Sequence, residues 1–213
     1  MPPGADGAAD QGFIVPQTVY VGAVEVIGAA VERVVETGLP FIFVGQVAGQ
    51  DELVFDGASF VLNADRSLAV QMPYFDEALT LTEWRRDGDR MVCAAQPLPP
   101  EPDRLELIYR CMTLGLGDYV RKNHFPGVLL GLSGGIDSAV CAAIAADALG
   151  ADHVWGVSMP SRYSSGHSRS DADDLADNIG LNYSTEAIAD LVLPIETQLK
   201  LTGTAAENVQ ARI

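Results

Sequence analysis

Leu129-Leu-Gly-Leu-Ser-Gly-Gly-Ile-Asp-Ser-Ala-Val140 decides the fold. Apolar Gly127–Leu132 has the length of a buried strand, and the run from Ser138 to Leu149 has the apolar content of a helix that stops at Gly150. Between them lie two adjacent glycines flanked by serines. Glycines at a strand-to-helix turn let the backbone approach an anion without a Cβ in the way. Their N–H groups and those of the helix's first turn then form a nest for phosphate oxygens. Ser133 and Ser138 add hydroxyls, and Asp137 is placed to hold a Mg²⁺ that bridges to pyrophosphate oxygens. No lysine follows the glycines, so this is not the GxxxxGK[ST] loop.

The strand–helix alternation continues downstream. A helix is predicted over Asp103–Asn123, a second strand over His153–Met159, a helix over Ser170–Asn178 closed by Gly180, a third strand in "LNYSTEAI", and a helix over Asp190–Lys200. Successive βα units imply a parallel, doubly wound sheet, whose ligands sit beyond the carboxyl ends of the strands.

Upstream the pattern differs. Residues 94–103, "AAQPLPPEPD", concentrate Pro97, Pro99, Pro100 and Pro102 and read as a stiff linker. It separates a segment at 1–93 from one at 104–213. Val19–Glu36 is an apolar run ending at a helix-stop signal, Gly38-Leu39-Pro40, and "FIFVGQV" (Phe41–Val47) reads as a buried strand. "LVFDG", "SFVLN", "SLAVQM" and "ALTLTEW" continue as strands of an antiparallel meander. The upstream segment is thus a helix plus a meander, and it carries no Ser/His/Asp set.

Composition narrows the function classes. In 213 residues, 48% are hydrophobic and 20% charged, which describes a globular chain with a real core. The net charge of −16 opposes generic binding to nucleic acid or anionic lipid. No apolar stretch reaches the ~20 residues of a membrane span. The first cationic side chain is Arg33, so no secretory signal is expected. Cys93, Cys111 and Cys141 are far apart without metal-ligand spacing and read as reduced thiols of a cytoplasmic protein.

"SGGIDS" resembles the pyrophosphate loop of the ATP pyrophosphatases, which adenylate a substrate and release pyrophosphate. Together with "SMPSRYSSGHSRSDADDLADNIG" and "AENVQARI", it resembles the NAD synthetase family. The stretch from Glu36 to Glu77 resembles the end of the nitrilase-like glutaminase domain fused to glutamine-dependent members. The resemblance implies an incomplete doubly wound α/β sheet of the ATP pyrophosphatase type, preceded by a partial α+β nitrilase-like segment. It implies ATP and Mg²⁺ as cofactors. ATP would be held by Gly131, Leu132, Ser133, Gly134, Gly135, Ile136, Asp137, Ser138 and Arg162, with Asp137 on the metal. Asn208 and Arg212 would meet the dinucleotide substrate. The implied reaction is amidation of nicotinic acid adenine dinucleotide through an acyl-adenylate, which needs no protein nucleophile.

The family's glutaminase uses a Glu, a Lys and a Cys that precede the segment matching Glu36 onward, and Met1–Val35 contains neither Cys nor Lys. No catalytic residue is therefore assigned, and the chain is expected to be part of a longer synthetase. A sheet ending after three strands exposes an edge, so self-association is expected. The rival readings are a nucleotide-binding remnant without turnover and another ATP pyrophosphatase amidoligase such as a GMP synthetase. His124 and His153 read as structural and His167 as a bystander. Asp171, Asp173, Asp174 and Asp177 read as a solvated helix face, and Asp51, Glu52, Asp56 and Gly57 as turn residues.

Overall fold

A computed structural model describes residues 19–21, 23–160, 166–200 and 203. The chain forms two compact units that divide between Pro100 and Glu101, inside the proline-rich stretch.

The first unit begins with strand β1 (Val19–Val21) and helix α1 (Ala23–Thr37). Val26, Ile27, Ala30, Val31 and Val34 recur at helical spacing, and that face of α1 meets Phe41, Phe43, Phe60, Leu62 and Leu68. The Phe60 ring lies 5.2 Å from that of Phe43 and 6.4 Å from that of Phe41. Burying each such side chain contributes about 1.5–3 kcal/mol. The helix stops at Gly38, which takes φ 65° and donates its N–H to the Val34 carbonyl.

The strands are β2 (Phe41–Phe43), β3 (Val47–Gln50), β4 (Leu53–Asp56), β5 (Phe60–Leu62), β6 (Leu68–Gln71), β7 (Trp84–Asp87) and β8 (Arg90–Cys93). They form sheets of order β1-β4-β3 and β2-β5-β6 and a β7–β8 hairpin. Three details correct the sequence reading. First, β1 pairs parallel with β4, so the unit is not a simple antiparallel meander. Second, the stretch expected as one strand, Phe41–Val47, is broken at Gly45 into β2 and β3, which join different sheets. Its Ile42 is 56% exposed, so it is not a buried strand. Third, "ALTLTEW" enters a strand only at Trp84; Leu79 and Leu81 stand 96% and 87% exposed, and the Leu81 carbonyl accepts from Gln96 Nε2 at 2.7 Å.

The second unit runs through helix α2 (Arg104–Lys122), β9 (Val128–Gly131), α3 (Ile136–Leu149), a single 3-10 turn at Ala151–His153, β10 (Val154–Ser158), α4 (Gly166–Ile179), β11 (Asn182–Thr185) and α5 (Ala189–Leu199). Asp103 caps α2, its carboxylate accepting from the N–H groups of Leu105 and Glu106 at 2.8 and 2.9 Å. The three strands are all parallel, in the order β11-β10-β9, with Gly156 of β10 in register with Leu130 and Tyr183. Helix crossovers of this kind are what parallel neighbours require.

The core of this unit joins Leu130, Leu132 and Tyr183 of the sheet region to Ala142 of α3 and to Ala172, Leu175, Ala176 and Ile179 of α4. Alanines at the contacts bring the helices close to the sheet. On the other pleat, Leu129 and Trp155 face each other in register, 66% and 40% exposed. Among the described residues, no helix is long and apolar enough to cross a membrane.

Candidate functional site: the loop between β9 and α3

Leu132 anchors the loop. Its side chain is buried at 2% exposure in the sheet–helix core, and its N–H extends the parallel ladder by donating to the Val157 carbonyl at 2.9 Å. The chain then turns out of the sheet, and Ser133, Gly135, Ile136 and Asp137 are exposed. Gly134 takes φ 75°, a left-handed conformation that L side chains rarely adopt. A Cβ there would run into the backbone carbonyl of Ser168 in the first turn of α4. Gly135 has φ −91°, and a Cβ would meet only the Ser133 hydroxyl at 3.3 Å. The two glycines therefore serve different needs. The first is required by the backbone, whereas the second keeps an approach open.

The serines knit the loop. Ser138 Oγ donates to the Gly135 carbonyl at 3.0 Å and accepts from the Ser133 N–H at 3.3 Å, and the two hydroxyls lie 3.2 Å apart. Gly135 N–H donates to Ser133 Oγ at 3.3 Å. Gly135 also occupies the N-cap of α3 without any side-chain cap, and helical bonding to it starts with Ala139 N–H on the Gly135 carbonyl. Among the described residues the N–H groups of Gly134, Ile136 and Asp137 have no hydrogen-bond acceptor. Unsatisfied first-turn donors and the positive end of the helix dipole are groups that suit an anion.

The structure thus brings Gly131, Leu132, Ser133, Gly134, Gly135, Ile136, Asp137 and Ser138 together at the carboxyl edge of the parallel sheet. Met159, just past β10, reaches the same edge, with its Cε 3.2 Å from where a Cβ on Gly131 would stand. Arg162, Asn208 and Arg212 lie outside the described residues. Among the described residues no group of three His, Cys, Asp or Glu side chains gathers to hold a metal.

The sequence reading missed the approach of Ser168 to the loop, because α4 begins at Gly166 rather than near Ser170. Gly and Ser residues carry no helical periodicity that would have shown this. His167 is exposed in that first turn, and its carbonyl accepts from Ser170 Oγ at 3.0 Å. His153 Nδ1 sits 3.0 Å from the Pro126 carbonyl, and His124 takes φ 57° beyond the end of α2. Asp51 and Glu52 occupy the β3–β4 turn, while Asp56 is buried at the end of β4.

A short parallel sheet with a Gly-rich loop and an open helix N-terminus at its carboxyl edge defines a parallel α/β protein of the kind whose ligands sit beyond the strand ends. Residues 108–213 match the family model for NAD synthase. The chain is 48% identical over 187 residues to the glutamine-dependent NAD(+) synthetase of Rhodobacter capsulatus, a match spanning 85% of this chain and 34% of that protein. The Synechocystis glutamine-dependent NAD(+) synthetase is 40% identical over 181 residues, spanning 82% of this chain and 32% of the relative. Among solved structures, the glutamine-dependent NAD+ synthetase of Acinetobacter baumannii, in complex with ADP, superposes with a TM-score of 0.81 at 36% identity. That match covers 89% of this chain and 37% of that one. The chain belongs to the NAD synthase family, and it spans about a third of the length of the curated relatives it matches.

Proposed function

We propose that this chain serves the ATP-dependent amidation of nicotinic acid adenine dinucleotide to NAD, with the Ser133–Ser138 loop holding the phosphates of ATP. The observation that carries the reading is the open N–H cradle of Gly134, Ile136 and Asp137, formed where β9 runs into α3. In the reaction, the nicotinate carboxylate oxygen attacks the α-phosphorus of ATP and pyrophosphate leaves. Ammonia nitrogen then attacks the acyl carbon of the adenylate, and AMP leaves with the bonding pair. The cradle's donors face the negative charge that accumulates on the departing pyrophosphate, which is electrostatic stabilisation rather than covalent catalysis.

Asp137, exposed in the first turn of α3 without a partner among the described residues, fits Mg²⁺ held jointly with phosphate oxygens. One carboxylate beside an anion cradle suits an ion that arrives with its nucleotide. Bound there, Mg²⁺ would neutralise pyrophosphate charge.

Within this reading, Gly131, Leu132 and Arg162 complete the ATP contacts, and Asn208 and Arg212 meet the dinucleotide. We read the sheet as doubly wound, Leu129 and Trp155 marking the face that a second helix layer covers in such folds. The segment before the linker reads as the end of a nitrilase-like glutaminase. It contains no Lys, and its only Cys is the buried Cys93, so it does not supply the glutaminase trio. The protein is read as cytoplasmic and self-associating.

The test is pyrophosphate release from MgATP and ammonia, with and without the acid dinucleotide. Dinucleotide-dependent release that Asp137→Ala abolishes is the expected result. MgATP binding without release would favour the remnant without turnover. Release that is indifferent to the dinucleotide would overturn the substrate assignment.

A further inference from the structure

Helix α3 packs mostly through small side chains: Ala142 and Ala145 are buried beside one larger residue, Ile144, and Ala139, Ala143, Ala146 and Ala148 complete an alanine-rich surface. A surface with so few large knobs does little by itself to fix how far a helix slides or rotates on its neighbour. Helix α2 supplies polar pins instead. Tyr109 Oη donates to Asp147 Oδ2 at 2.5 Å, a short charge-assisted bond between the two helices. One residue from the end of α3, Arg121 Nη1 donates to the Ala148 carbonyl at 3.3 Å while its Nη2 lies 3.4 Å from Asp118 Oδ1. Gly117 makes room for this: a Cβ there would stand 2.6 Å from Arg121 Nη2 and 3.2 Å from the Ala148 carbonyl oxygen.

The pins engage a carbonyl that a helix C-terminus leaves unpaired and an acid placed unfavourably near it. They lie roughly 15 Å along α3 from Asp137, at 1.5 Å of rise per residue. A stiff helix carries a rotation or slip at one end to the other, where the Gly134, Ile136 and Asp137 donors must converge on one anion.

We propose that Tyr109 and Arg121 are positioning residues for the phosphate cradle, acting through α3 to set its register. The proposal rests on the nucleotide reading of the Ser133–Ser138 loop. Its test is calorimetric titration of the whole chain with MgATP and, separately, with magnesium pyrophosphate, well below the thermal midpoints of all variants. Tyr109→Phe and Arg121→Ala are expected to weaken both ligands by a similar factor, about three- to tenfold. Asp147→Asn, which keeps a neutral acceptor for the phenol, is expected to retain most of the affinity. A purely structural role would lower the thermal midpoint of Tyr109→Phe and leave its affinity for both ligands unchanged, and that result would overturn the inference alone. Failure of the unaltered chain to bind either ligand would overturn the nucleotide reading and this inference together.

Discussion

Each unit contains a turn in which glycine is obligatory, and the two turns end differently. In the first unit, a Cβ on Gly45 would run into the Gly57 carbonyl, and one on Gly57, at φ 72°, into a methyl of Val47. The Gly45 N–H is closed off by Ser59 Oγ at 2.9 Å, and the Phe75 N–H by the Asp56 carbonyl at 2.8 Å. In the second unit, Gly134 is equally constrained by φ 75° and the Ser168 carbonyl, yet N–H groups on either side of Gly135 keep no acceptor among the described residues. The same residue type closes one backbone on itself and holds another open. Glycine density therefore identifies a site only where the N–H groups it frees stay unspent.

The contrast is broken most strongly by adding a methyl group to the constrained glycines. Gly57→Ala and Gly134→Ala should each cost about 2–4 kcal/mol, combining left-handed strain with a clash. Urea unfolding followed by the tryptophans would measure it. Only Gly134→Ala should also lose MgATP binding; equal binding losses in both would mean that the difference between the turns is illusory. Gly135→Ala sharpens the point. With φ −91° and one 3.3 Å contact, it should change stability by only about 0.5 kcal/mol. MgATP affinity should nevertheless fall tenfold or more as the methyl group crowds the cradle.

A second difference between the units lies in alkali. The Asp147 bond, with lesser help from burial and the carboxylate charge, pushes the Tyr109 phenol from about 10 up to about 12. A group raised on folding stabilises the protonated fold fully below pH 10 and loses that contribution as pH climbs towards 12. A pH series of unfolding midpoints should show this loss in the second unit and not in Tyr109→Phe.

The smallest effect concerns the thiols. Burial pushes Cys93 up, Cys93 and Cys111 are both buried, and Cys141 is exposed. A thiol reagent should modify Cys141 first. Cys93 and Cys111 should follow only as the first and second units, respectively, open. Fast labelling of Cys93 in the native chain would contradict the packing described for the first unit.

The second unit was the more legible in sequence. Its strands and helices alternate, and stops such as Gly150 and Gly180 leave boundaries within a few residues of those observed. An exception is α4, whose first turn of Gly, His, Ser and Arg has no apolar period. The first unit hid more. Phe41–Val47 is apolar almost throughout, yet Gly45 must meet Gly57 closely, a contact between residues distant in sequence that splits the run into two strands. The parallel β1–β4 pairing is likewise set by tertiary packing rather than by any local pattern. At the site, the "SGGIDS" string disclosed the loop, whereas the Ser168 backstop and the pins from α2 depend on which helix lies beside which. No local signal encodes that.

The central claim is that the loop from Ser133 to Ser138 is a phosphate cradle completed by a metal-binding carboxylate. Its most direct test is titration of the unaltered chain and of Asp137→Ala with MgATP, in parallel with ATP in excess chelator. The account predicts saturable MgATP binding that is weakened tenfold or more by chelator or by Asp137→Ala, with the fold intact. Unchanged binding in Asp137→Ala, or no binding by the folded unaltered chain, would contradict it.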